Sequence, residues 1–418
     1  MKTCHCKIST LLILVVVLGG TATAFARVSL EKKLELREEY YSNLFLTPDN
    51  EQDDFVTLAI PGLHLQFDSK LLKADIDYQL EFRFYKNFTE ENETSLKDTQ
   101  RLKADATLFP KKDFTVDLLD EYTRVIIDER RPTSETNPFI NKSNLNRFEV
   151  HPSYRLRRFQ TFEPSVGYRY RNLNYTSSEG DDSDSHRFDA GLVKRINPHF
   201  RVKGLYGYEI FQSDQAEDFD RQDAVVGVEM EPLTRMNLGA EGGRAWIDFS
   251  DDRQSNGWIW RVWLDYGLTA RLASHLEYSQ DFLNSVDLGL IKNQRAQASL
   301  GYTGDRRTAS MSVFYDKADY QEVNRKDESV GVRMDVKHPL SRYFSLGGNG
   351  YVIYYRFSGD GAGAEAEDVG RWGVRADLEY QLRILTLALG ASHERSDSEI
   401  DANDYRSNVV FAEARLAF

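Results

Sequence analysis

From about residue 72 to Phe418 one unit recurs: a run of 9 to 15 residues alternating apolar and polar, closed in turn by a tight turn and a longer, often acidic loop. The run at 72–86 is the clearest. Ala74, Ile76, Tyr78, Leu80, Phe82 and Phe84 share one face, while Asp75, Asp77, Gln79, Glu81 and Arg83 share the other. A period of two is β geometry, so one face suits hydrocarbon and the other suits water. Repeated along a chain, that pattern specifies an all-β fold: a single transmembrane antiparallel up-and-down β-barrel. Segments counted from about residue 34 give 20 strands, or 18 if the weak first hairpin lies outside the wall.

The beginning of the sequence fits that destination. Lys2 and Lys7 precede the apolar run Leu11 to Leu18, and Ala24-Phe25-Ala26 supplies a small-x-small cleavage site. Residues 1–26 therefore read as a secretory signal peptide and 27–418 as the barrel. No later stretch has the 18 or more consecutive apolar residues of a spanning helix. Cys4 and Cys6 both fall in the signal segment and precede the cleavage site, which leaves the mature chain without thiols, disulfides or thiolate metal sites. The formal net charge of −13 becomes more negative once Lys2 and Lys7 are gone, which argues against a nucleic-acid partner. A mean hydropathy of −0.54 looks soluble, but only alternate residues of a barrel strand meet lipid.

The connections predict an orientation. Short turns fall at 110–112, 157–160, 197–199, 231–234, 271–274, 304–307, 338–342 and near Arg383. Longer loops fall at 87–97, 128–144, 172–185, 212–222, 250–256, 284–292, 318–327, 358–368 and 396–404. Strict alternation assigns the short set to the periplasm, places both termini there, and requires an even strand number in a Gram-negative outer membrane. No loop is long enough for a separate folded plug, although 128–144 could fold inward. Two places depart from the pattern. Across Pro61-Gly62 the apolar phase shifts from Val56, Leu58 and Ile60 to Leu63, Leu65 and Phe67, which a bulge would correct. Pro152 and Pro164 each remove a ladder donor from neighbouring strands, predicting bulges or a weak seam.

Two segments resemble known families. Val410, Ala412, Ala414, Leu416 and Phe418 place alternate apolar residues on one face and finish on a terminal Phe. This resembles the C-terminal signal read by the outer-membrane barrel-assembly machinery, with Leu416 and Phe418 as its recognition positions; Phe411 and Glu413 depart from the usual polar residue and Gly. Glu38 to Leu46, then Asp53-Asp54-Phe55 and Pro61-Gly62-Leu63, resembles the opening of the β-barrel porin families of Gram-negative bacteria. Some members of those families are associated with exopolysaccharide gene clusters. The resemblance implies an outer-membrane channel and carries no catalytic residues.

Sites for chemistry are sparse. His151 and Ser153 are the nearest approach to a base and nucleophile, but no third group and no Gly-x-Ser-x-Gly turn accompanies them. The 8 histidines lack metal-ligand spacing, and no phosphate-binding loop precedes a helix, so no cofactor, no metal site and no enzyme is expected. The acidic stretches Glu179 to Asp184, Asp397 to Asp404 and Asp49 to Asp54 read as solvated loops, with divalent-cation bridging to lipopolysaccharide as the sharper alternative.

Strand parity turns Arg83, Lys103, Arg155, Arg169, Arg187, Arg201, Lys203, Arg261, Arg295, Arg333 and Arg375 inward, beside Asp75, Asp77, Glu81, Asp265 and Asp377. These are the expected pore-lining residues; they would steer anionic or sugar-rich solutes, or else pair with one another and merely hydrate the lumen. The resulting expectation is a porin-like channel for polar solutes, part of exopolysaccharide export on the family resemblance. A structural or docking barrel with an occluded lumen is the alternative, and an outer-membrane hydrolase a distant third. Its partners would be outer-membrane lipid and lipopolysaccharide, the assembly machinery, and, for export, periplasmic polysaccharide-export components.

Overall fold

The computed structural model describes residues 27–137, 139–159, 161–286, 289–359 and 365–418. The signal-peptide reading of 1–26, with Cys4 and Cys6, lies outside the described residues. The strands are β1 (Arg27–Tyr41), β2 (Asp54–Asp68), β3 (Leu72–Leu80), β4 (Phe82–Tyr85), β5 (Gln100–Leu108), β6 (Phe114–Ile126) and β7 (Lys142–Arg155). Next come β8 (Phe162–Tyr175), β9 (Ser183–Asn197), β10 (Phe200–Ser213), β11 (Phe219–Leu233), β12 (Met236–Phe249), β13 (Gln254–Gly267) and β14 (Leu272–Asn284). The wall ends with β15 (Leu290–Thr303), β16 (Thr308–Tyr320), β17 (Lys326–Pro339), β18 (Phe344–Phe357), β19 (Glu367–Gln381), β20 (Leu385–Ser398) and β21 (Tyr405–Ala417).

Each strand pairs antiparallel with the next, and β1 closes the sheet by pairing with both β2 and β21. β3 and β4 are one strand, because both pair with β2 in a single register, Asp77 opposite His64 and Arg83 opposite Leu58. The barrel therefore has 20 strands, and the first hairpin belongs to the wall. Closure leaves no free sheet edge, the condition for an up-and-down sheet to stand in lipid.

Register fixes which way every side chain points. Followed around the wall, the outward face carries the large exposed apolar residues, among them Val226, Trp258, Val352, Leu389 and Val410. An apolar surface of this extent is incompatible with water and suited to a bilayer. Both ends of the described chain and all the short turns share one end of the barrel; the longer loops share the other.

Three expectations need correction. Several connections expected to be long shorten to 176–182, 214–218, 250–253, 285–289 and 321–325. Ladder pairing runs on into them because it satisfies backbone donors and acceptors that a loop would leave to water. The bulge at Pro61-Gly62 is absent: β1 and β2 keep one continuous register from Arg27 opposite Asp68 to Tyr41 opposite Asp54. Val56, Leu58 and Ile60 face the lumen, and Leu63, Leu65 and Phe67 face outward. The prolines also produce no bulge. β7 and β8 hold the same register on both sides of a gap at 151–152, where the ladder simply lapses beside Pro152. That gap is the weak seam, and Pro164 keeps its place opposite Leu192 in the β8–β9 ladder.

Candidate functional site

The inward face is where the sequence spends its charge, and two segments fold over it from the long-loop end. The first is the β6–β7 connection, 127–141, which crosses the lumen and is held by residues far away in sequence. Arg371 of β19, 3% exposed, donates to the Thr133 hydroxyl at 3.1 Å and to the carbonyls of Glu129 at 2.8 Å and Arg131 at 3.2 Å. Ser134 donates to Glu394 of β20, Tyr405 of β21 donates to the Thr133 carbonyl, and Arg333 of β17 pairs with Glu135. Arg131 meets Glu179 of the β8–β9 loop at 2.8 Å. Asn137 donates to the Leu44 carbonyl, 2.6 Å away, in the β1–β2 connection. One loop thus touches elements around most of the mouth, and it forms a lid.

The base of the lid is apolar. Val56, Leu58, Tyr41, Tyr85, Val409 and Leu44 form a buried cluster inside the barrel, against which Phe45, Phe88 and Phe139 pack. Phe139 meets Phe45 edge-on with ring centroids 4.9 Å apart, and Tyr85 at 5.6 Å. This contact explains the phase shift in β2: the apolar residues there point inward to meet the lid. Under the lid lies a cavity of about 340 Å³ whose walls include Arg37, Glu39, Glu135, Arg375 and Phe411. Arg37 binds Glu35 at 2.6 Å and Glu413 at 2.8 Å, and the Arg375 guanidinium sits 4.3 Å above the Phe411 ring.

The second inward segment is the tip of the β14–β15 hairpin. β13 and β14 pair only from Trp260–Gln280 to Gly267–Ala273, and beyond Gln280 the hairpin leaves the wall. Arg221 of β11 holds it there, donating to the Phe282 carbonyl at 2.8 Å and binding Asp281 at 2.7 Å. Phe282 joins Phe211, Phe219, Ile247, Phe249 and Ile259 in a second buried apolar cluster. The tip roofs a larger cavity of about 580 Å³ against β7 to β13.

All the charged residues picked out by parity lie on the inward face. Most are paired along or across strands. Arg201 binds Glu229 and Lys203 binds Glu241, each at 2.9 Å; Arg261 binds Glu277 at 2.6 Å, and Arg295 lies 3.7 Å from Asp316. Asp77 meets Lys33 at 3.3 Å, Asp75 accepts from Gln66 at 3.0 Å, Asp265 lies 2.6 Å from His275, and Arg83 pairs with Glu81. Arg187 binds Asp189 at 2.8 Å and reaches over Gly207, where any side chain would collide with it, to bind Asp223 at 2.9 Å. Lys103, Arg155, Arg169, Arg375 and Asp377 have no ionic partner among the described residues. Parity alone could have added Arg371, which shares a face with Arg375. Thr133 to Asn137 carry no periodic signal, so nothing in the alternation pointed to them.

The other candidates are structural. Ser153 bonds the Thr115 hydroxyl at 2.9 Å across β6 and β7, so it is engaged away from His151. The acidic loops are spent on their own backbone and neighbours. Asp182 accepts from the Tyr175 amide at 2.6 Å, Asp184 from the Tyr170 hydroxyl at 2.5 Å, and Glu51 pairs with Arg406 at 3.1 Å. No group of three or more metal-ligating side chains occurs among the described residues. At the C terminus, Leu416 and Phe418 continue the outward face, and Phe418 exchanges backbone hydrogen bonds with Lys32 at 2.9 and 3.0 Å.

No family model matches this sequence, and no curated protein matches it. Similarity appears at the level of solved structures. The ferric enterobactin receptor PfeA of Pseudomonas aeruginosa, solved in complex with BCV-L6, is 8% identical with a TM-score of 0.51, over 93% of this chain and 81% of that one. The FrpB iron transporter from Neisseria meningitidis (F5-1 variant) is 9% identical with a TM-score of 0.50, over 93% and 82%. Neither is named as an enzyme. At this identity the likeness carries the architecture: this chain has the fold of the large outer-membrane receptor and transporter barrels.

Proposed function

We propose that this chain is an outer-membrane transport barrel for polar solutes, gated at its long-loop mouth by the 127–141 lid, with the short turns and both ends of the described chain on the periplasmic side. The observation that supports gating is how the lid is held. Its tip, 129–135, is bound by hydrogen bonds and ion pairs to β17, β19, β20 and β21, with apolar packing confined to its base at Phe139. Each neutral hydrogen bond is worth about 0.5–1.5 kcal/mol net and each bond to a charged group about 1.5–3 kcal/mol, because water replaces them when they break. A latch of that kind can open on a few kcal/mol of differential binding, the scale on which solutes and partners shift two-state equilibria. The mixed charges of the inward face give a polar solute a hydrated path once the lid moves.

The cargo is a polar solute. The finer reading, export of exopolysaccharide, rests on the resemblance of residues 38–63 alone. The same lid also favours a second reading, a docking barrel whose lumen stays shut. Single-channel recording of the refolded mature barrel in a planar bilayer separates them. Wild type is expected to be mostly closed with brief openings, and a deletion of 129–137 to conduct steadily. A deletion variant that inserts, shows heat-modifiable migration, and passes no current would overturn the transport reading in favour of docking.

A further inference from the structure

In the larger cavity every carboxylate of the lining has a cation partner, but not every cation has a carboxylate. Its carboxylates are already occupied: Asp189, Glu209 and Asp223 by Arg187, Asp281 by Arg221, and Glu241 by Lys203. Two cations on its wall are not. Arg169 stands directly across the ladder from Arg187, but the Arg187 guanidinium is drawn away over Gly207 to Asp223, which leaves Arg169 facing the cavity without an ionic partner. Arg155, opposite Ser165, is likewise free of one. An unpaired guanidinium in a recess is a directional anion receptor, since its fork of donors matches a carboxylate bidentately.

Spacing and shape narrow the class of anion. Ser165 lies four residues before Arg169 on β8, so the two arginines sit about 13 Å apart along the wall at ~3.3 Å per residue. Between them the wall is built of the small residues Ser153, Ser165 and Gly167, with the His151 ring lying over Gly167. The Ser165 hydroxyl has no hydrogen-bond partner among the described residues. The hairpin tip at 281–284 roofs the cavity on the long-loop side, whereas Arg155 ends β7 beside the short turn.

We propose that this cavity is a binding subsite for polycarboxylate solutes, held at two points by Arg155 and Arg169 and received from the short-turn mouth. It rests on the transport reading and adds a substrate class to it. The arginine spacing suits a short acidic chain; a compact polycarboxylate would use the same two groups.

Isothermal titration of the detergent-solubilised mature barrel tests this without requiring conduction. Trigalacturonate probes the chain and citrate the compact form, with maltotriose as the uncharged control. One or both acids should bind, and R155A/R169A should weaken binding at least tenfold, while R155K/R169K retains part of it. Heat-modifiable migration verifies that each variant is folded. Maltotriose binding as tightly as the acids, neither acid binding, or R155A/R169A binding like wild type would each overturn the subsite. A barrel that never conducts yet binds acid in an arginine-dependent way would keep the subsite and remove the transport reading.

Discussion

On the side of the lumen lined by β1, β2 and β17 to β21, inward side chains are engaged by a loop that arrives from elsewhere in the chain. On the side lined by β7 to β12 they are engaged mainly by one another. Arg371 is held by three groups of the lid. Arg187 is satisfied by three carboxylates of the wall. Both are arginines on the same face of the same barrel, and both would be scored identically by strand parity. The difference is in what breaks when each is removed. Ladder bonds hold the wall together without the lid, so the lid side can be released without unfolding. The wall network is part of the wall.

The comparison breaks most visibly at the lid. R371M should raise the open fraction in bilayer recordings by an order of magnitude or more, since it removes three hydrogen bonds from a buried guanidinium, each worth about 1.5–3 kcal/mol. Its thermal unfolding should stay close to wild type. An R371M barrel that melts early and stays closed would mean the lid is structural. R187A is the converse case. It leaves Asp189 and Glu209 without their guanidinium and Asp223, 3% exposed as a side chain, held by Arg221 alone at 3.3 Å, and removing one partner of a buried charge pair costs about 3–5 kcal/mol. The expected result is a lower unfolding temperature with unchanged gating, and an opened channel would dissolve the distinction between the two sides.

Leu58→Ala should fall between these. It empties a position 2% exposed in the apolar base of the lid, and truncating a buried Leu costs about 2–5 kcal/mol. Because Leu58 belongs to both wall and lid base, stability and closure should move together, with a modest rise in open fraction. The smallest effect is expected at the seam. Pro152→Ala returns an amide donor beside the gap between β7 and β8, and one restored hydrogen bond is worth about 1 kcal/mol. Slower amide exchange at 150–153 in hydrogen–deuterium measurements would report it.

The fold was legible because a barrel wall is a one-dimensional code. Period two, a turn and a loop were enough to place residues as far apart as Arg83 and Arg375 on one face. Even the irregularity in β2 was visible, though it was read as a bulge because the expectation assigned all apolar residues to lipid. Val56, Leu58 and Ile60 instead marked where something else occupies the lumen. Phe211, Phe219 and Phe249 carry the same signal at the long-loop end: aromatic residues on the inward parity, next to the hairpin tip that covers them. The lid contacts were not legible. Thr133, Ser134 and Glu135 act through long-range geometry that no local period encodes, and their partners lie more than 190 residues away. Ion pairing was legible only as a possibility, since parity names which charges face inward but not which are left over, as Arg155 and Arg169 are.

The closing rung of the sheet bears on how such a wall comes into being. β1 meets β21 from Lys33 opposite Ala417 to Tyr41 opposite Val409, and Lys32 and Phe418 add the last backbone bonds. Every other stave can be laid against a neighbour made moments earlier, but this one waits for the final residues, so the cylinder is an open ribbon with two bare edges until then. Loop-closure entropy rises only slowly with chain length, so the delay weighs less in free energy than in time: contacts of such long range form slowly, and unpaired edges are exposed throughout. A chain shortened by its last strand should therefore persist as an adhesive sheet, while one nicked in a surface loop such as 250–253 should still be able to close.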